Sequence, residues 1–161
     1  VPDPSAPRSA DALPALPLVL RPRTARRVLY PLVALVLVAF VGGALLLPGE
    51  GRGAFGPADR AGVVATGLAI AWVMHRIAAV RVLCRESGLR VVNVLRSRDV
   101  EWAEVLGVRL GQAAPWLQLD LSDGTTLAAM GVQGSDGEHA RTQARTLARL
   151  VQDRSRTEHD R

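Results

Sequence analysis

Apolar and polar positions alternate in three different ways along this chain. Residues 28–47, VLYPLVALVLVAFVGGALLL, are an unbroken run without a charge. A helix of that length spans about 30 Å, which matches the hydrocarbon core of a bilayer. Pro31 falls in its first turn, where no helical hydrogen bond is lost. Residues 61–80 form a second run, interrupted only by His75 and Arg76 near its end. From there an arginine side chain reaches headgroup level. The pattern predicts two transmembrane helices, 28–47 and 61–80, packed as a hairpin. A Gly- and Pro-rich extracytoplasmic loop, 48–60, joins them. Gly62, Thr66, Gly67 and Ala71 supply small residues for close helix packing, and Gly42 and Gly43 supply them on the first helix. The first run exceeds the h-region of a cleaved signal, about 7–15 residues, and no small-x-small cleavage site follows before Pro48.

After Arg81 the period falls to two. Residues 80–85 put Val80, Val82 and Cys84 on one face, and Glu86-Ser87-Gly88 reads as a turn. Strands follow over 89–95, 99–102 and 106–110, the last with Leu106, Val108 and Leu110 inward. Residues 116–121 alternate cleanly, with Leu117, Leu119 and Leu121 together. Asp123-Gly124 is a hairpin turn, because glycine takes the positive φ that tight turns need, and 125–132 return. The third pattern is helical. Ser135 as N-cap and Glu138 three residues on read as a capping box. Ala140, Ala144, Leu147, Ala148 and Val151 form an apolar stripe behind it, while Arg141, Arg145 and Arg149 recur on another face, read as solvated. A sheet of this size cannot close a core alone, so the helix is its cover. The expected fold is a two-helix transmembrane hairpin followed by a small α+β domain. That domain is a bent antiparallel sheet or partial barrel capped by its C-terminal helix, over 81–153. A disordered Pro-rich arm, 1–20, a basic juxtamembrane segment, 21–27, and a polar tail, 154–161, complete the layout.

Charge sharpens the placement. All 20 basic residues are Arg and give a net +5 over 161 residues. Residues 1–27 hold five Arg against two acids, whereas 81–161 hold twelve Arg against eleven acids. A nucleic-acid-binding domain keeps its basic excess in the folded part, so nucleic acid is excluded as a partner. Arg21, Arg23, Arg26, Arg27, Arg76, Arg81 and Arg85 flank the two spans on one side, against Arg52 and Arg60 in the connector. The excess of basic residues predicts a multi-pass protein of the bacterial inner membrane with both termini cytoplasmic. Those seven Arg are the expected contacts with the membrane surface and its anionic lipid.

Chemistry is sparse. His75, His139 and His159 are far apart in sequence and Cys84 has no near partner, so no metal site or cofactor is predicted. Cys84 reads as a buried strand residue. No phosphate loop, nucleophile elbow or paired-His motif occurs, and the expectation is a protein that is not an enzyme. Trp102 reads as structural, packed on the sheet or the helix. Trp116 shares a face with Gln118 and Asp120, opposite the leucines, and is a candidate for a partner or lipid contact. Arg90, Arg96 and Arg98 are candidates for the same role, since guanidinium pairs well with phosphate, although Asp99, Glu101 and Glu104 follow and cancel their charge.

Three stretches carry a family resemblance. They are Gly88-Leu89 with Val91 and Asn93; Val100-Glu101-Trp102 with Val105; and Pro115-Trp116-Leu117 continuing through Leu119-Asp120-Leu121-Ser122-Asp123-Gly124-Thr125-Thr126-Leu127. Together they resemble the bacterial pleckstrin-homology-like (PH-like) domain of the low molecular weight protein antigen six type. The layout resembles its membrane-anchored actinobacterial members, over roughly 15–152. The resemblance implies a PH-like fold and a high-GC bacterial source, and brings no catalytic residues. The expected function is a non-catalytic module that tethers an unknown protein partner, or a second copy of itself, at the cytoplasmic membrane surface. The alternatives are an anionic-lipid-sensing or envelope-associated domain, and an accessory subunit of a larger membrane complex.

Overall fold

The computed structural model describes residues 14–50, 54–111 and 114–159, and the side chains of these up to residue 155. They fall into two units, one made of 14–21 with 81–159 and the other Pro22–Val80.

The second unit is the helical hairpin. Helix α1 spans Thr24–Leu46 and α2 spans Pro57–Ala78, each starting about four residues before its expected bound. The apolar runs set the bilayer-length core, but the helical hydrogen bonds continue through the arginines ahead of it. Pro57 opens α2, and the Asp59 carboxylate accepts from the Gly56 N–H at 2.8 Å, which satisfies a free donor at the helix start. Across the connector the Arg60 guanidinium donates to the Leu47 carbonyl at 2.7 Å. The helices meet closely at Gly67, where an added Cβ would fall 2.5 Å from Phe40 Cβ, and Ala71 is buried beside it. Gly42, Gly43 and Gly62 face open space instead and do not mediate the approach.

The first unit holds seven strands in two antiparallel sheets. Strand β1, Leu18–Leu20, comes from ahead of the helices, so the arm expected to be disordered over 1–20 is structured there; residues 1–13 lie outside the described residues. The low-complexity composition hides three apolar residues that find a partner more than sixty positions later. They pair with β2, Arg81–Arg85, in the register Leu18↔Cys84 and Leu20↔Val82. Strand β3, Gly88–Val92, and β4, Ser97–Val100, complete a sheet of order β1-β2-β3-β4. The helical hairpin is thus inserted, in chain order, between two neighbouring strands. The second sheet has the order β5-β6-β7, with β5 at Val105–Arg109, β6 at Trp116–Leu121 and β7 at Thr126–Gln133. The sheets do not close into a barrel. They share one apolar core, and two polar or close contacts stand out between them. Gly131 of β7 crosses β2 so closely that a Cβ would lie 2.7 Å from the Arg81 backbone. Asn93, just past β3, donates to the Ala128 carbonyl and accepts from the Met130 N–H at 2.6 and 3.0 Å.

Helix α3, Glu138–His159, covers the core with Ala140, Leu147, Leu150 and Val151 against Val82, Cys84, Leu117, Leu119 and Leu121. It runs well into the expected polar tail. Its start also differs from expectation. Residues 134–136 form a 3-10 turn and Gly137 sits at φ 58°, so Ser135 is not the N-cap. Glu138 binds Arg141 and Arg145 rather than closing a capping box. Leu106 is the other correction. A register shift between Val105 and Gly107 turns Val105 inward and leaves Leu106 72% exposed.

Candidate interaction site

Trp102 anchors the end of the sheet nearest the expected ligand region. It is 2% exposed, and its indole N–H donates to the carbonyls of Arg85 and Glu86 at 3.0 and 3.1 Å. Its own carbonyl accepts from the Ser155 hydroxyl at 3.2 Å. A tryptophan between the β2–β3 turn and α3 is a structural pin, with no face left for a ligand. The turn itself needs Gly88, which takes φ 146° and sits hard against the Val100 backbone.

The three candidate arginines do not converge. Register pairs Arg90 with Asp99 and Val91 with Arg98, so Arg90 and Arg98 lie on opposite faces of β3–β4. Arg90 approaches Asp99 at 3.8 Å, and Arg98 donates to Asp123 at 3.2 Å. Arg96 is exposed in the β3–β4 loop beside Leu95, which is 83% exposed. An open depression of ≈ 520 Å³ does lie here, but Asp99, Glu101 and Glu104 line it along with Arg85 and Arg90. Three carboxylates against two guanidiniums make a poor cradle for an anionic headgroup. Asp123 is held at the β6–β7 turn, where Gly124 has φ 79°. The Thr125 hydroxyl and N–H donate to it, and with Arg98 they keep its carboxyl below the ordinary range.

The other expected residues are dispersed. Trp116 starts β6, half-buried and opposite Gln133 across a register shift. Cys84 is fully buried, and burial pushes its thiol up to about 12, which makes it inert. Of the flanking basic residues, Arg26 stacks over Tyr30 at 5.5 Å and Arg76 over Trp72 at 5.8 Å, while Tyr30 and His75 approach at 6.1 Å between centroids. Arg26, Arg27 and Arg76 therefore share one end of the hairpin with Tyr30 and Trp72, and Arg23 precedes α1 there, whereas Arg81 and Arg85 belong to β2 and Arg21 to the sheet unit. Among the described residues no cluster of His, Cys, Asp or Glu has the proximity a metal ion needs.

Residues 79–150, which run from β2 into α3, match the family model of the bacterial PH domain. An uncharacterised protein of Mycobacterium bovis is 33% identical over 135 residues, covering 83% of this chain and 88% of the relative. Uncharacterised proteins of two Mycobacterium tuberculosis strains match to the same extent.

The chain belongs to the bacterial PH domain family.

The matched region begins at the end of the helical hairpin, so the PH domain as folded is larger than its family match. It recruits β1 from the other side of the hairpin. No solved structure matches the chain significantly. Asn93 and Leu106 are the residues of this PH domain whose roles the sequence hid. An asparagine directly after an apolar strand is the available signal for the first, and the Leu106-Gly107 step for the second.

Proposed function

We propose that this protein is a membrane-anchored, non-catalytic PH module that holds a protein partner, or a second copy of itself, at the cytoplasmic face of a bacterial cell membrane. The observation that carries the reading is the insertion of an outward-apolar helical hairpin between two paired strands of the PH domain. Helices α1 and α2 are each long and apolar enough to cross a bilayer, and little of either is buried. The seven arginines flanking the hairpin, against two in the connector, support placing both chain ends in the cytoplasm. Tethering acts through effective concentration, which makes a weak docking surface sufficient. The lipid-sensing and envelope readings rank lower, because Arg90 and Arg98 point to opposite faces and each holds a carboxylate. An accessory-subunit role would place the contact on the hairpin.

Cross-linking in native membranes followed by mass spectrometry tests this. The full chain is expected to capture partners that a chain lacking 81–161 does not. An identical partner set from both sinks the tethering reading in favour of a hairpin contact. A C-terminal reporter active only outside the cytoplasm overturns the orientation.

A further inference from the structure

Strand β5 ends its sheet, with β6 on one side and, among the described residues, no strand on the other. Along such an edge alternate N–H and C=O groups point outward and offer a template for another strand. Helix α3 packs alongside, and between the two runs a groove of ≈ 400 Å³. Its apolar lining is Val108 and Leu110 from the strand side and the small Ala144 and Ala148 from the helix. Arg141 and Arg145 form its polar wall. These two guanidiniums share the single carboxylate of Glu138, so this wall keeps a net positive charge. Arg109 on β5 is balanced by Asp120. Leu106 projects from the same edge strand, at the register shift.

We propose that the groove between β5 and α3 binds an extended acidic peptide of a partner protein, which adds to the β5 edge as a further strand. Backbone pairing with β5 supplies affinity that is indifferent to sequence. Apolar side chains at alternate positions enter over Ala144 and Ala148, where the small helix residues leave room. Carboxylates meet Arg141 and Arg145, which bind them by bidentate geometry. A second copy of this chain is the less suitable occupant, because two-fold pairing of two β5 edges would bring both Arg141–Arg145 walls to one interface. The proposal rests on the tethering reading above and names its docking surface.

The test uses the full chain in detergent micelles and a short fluorescent peptide in which Val alternates with Glu. Binding is read by anisotropy, and β5 protection by amide hydrogen exchange. The Glu peptide is expected to bind at least about tenfold more tightly than its Lys counterpart, since like charges at an interface are strongly unfavourable. It is expected to slow exchange in β5. Ala148→Phe, which fills the groove, should weaken binding by about thirtyfold, the loss typical of a central contact. The exposed double change Arg141→Glu with Arg145→Glu should reverse the peptide preference without touching the core. Equal binding of both peptides, no binding, or binding without β5 protection overturns the proposal. If native-membrane cross-linking captures the same partners with Ala148→Phe as with the unchanged chain, the groove is wrong and the tethering reading survives.

Discussion

In the sheet unit Leu117, Leu119, Val82 and Val132 expose nothing to solvent. In the hairpin Leu35, Val38 and Leu45 expose 62%, 70% and 72% of their surface. The same residue types face in opposite directions. The sheet unit sets polar residues outward and hides its apolar ones under α3, as a domain in water does. Little of the hairpin is buried in this way. Its helices meet along a line of small residues that includes Ala44, Gly67 and Ala71, and its outward apolar side chains need apolar surroundings that the chain itself does not provide. Under the proposed reading a bilayer supplies them. The difference teaches that apolar content alone does not locate a core; alternation does, because it specifies which side chains share a face.

Substitutions can break that comparison. The largest effect is expected at Trp102. Trp102→Ala removes the most voluminous buried side chain and the indole N–H that two carbonyls share, and should destabilise the sheet unit by about 4 kcal/mol in denaturant titration of the micellar protein. Next comes a matched pair. Leu119→Ala should cost about 3 kcal/mol, whereas Leu35→Ala in the hairpin should cost under about 0.5 kcal/mol. Equal costs would mean that the hairpin has a packed interior after all. Asn93→Ala should cost about 1–2 kcal/mol, because the Ala128 carbonyl and the Met130 N–H both lose their partner between the sheets. A neutral result would show that core packing and the close approach at Gly131 hold the sheets together without these hydrogen bonds.

The smallest effect is a pH dependence. Burial raises the Cys84 thiol from an ordinary 9.0 to about 12 in the folded unit. Its stabilising contribution is therefore complete below pH 9.0 and declines as pH rises from there toward 12. Thermal midpoints should fall across that window in the parent and fall less in Cys84→Ala. An identical fall in both would assign the slope to other groups.

Much of the sheet was legible because its strands alternate. Three leucines at every second position mark residues 116–121 as a strand, and the structure gives it the same bounds. Leu106 defeated the same reasoning, since one register shift exchanges inside for outside and nothing in a period-two pattern announces it. Ser135 had the residue type and spacing of a cap, but Gly137 in a positive-φ conformation moved the helix start beyond it. Of the candidate site, the burial of Cys84 and the structural role of Trp102 followed from local pattern. The fate of Arg90 and Arg98 did not. It depends on pairing with Asp99 across a strand register and on Asp123 at a turn 25 residues away. Strand β1 was invisible for the same reason at longer range. Three apolar residues in a Pro-rich arm mean nothing locally until β2 offers them an edge.

That strand also orders events in time. The ribosome releases Leu18–Leu20 before either helix and Arg81–Arg85 only after both, and the two strands are neighbours in the finished sheet. Chain synthesis runs at roughly 5–20 residues per second, so β1 waits several seconds for its partner. The loop between them closes at lower entropic cost once the intervening chain is already folded back on itself as a helical hairpin. Completion of the sheet therefore waits until both helices have been synthesised.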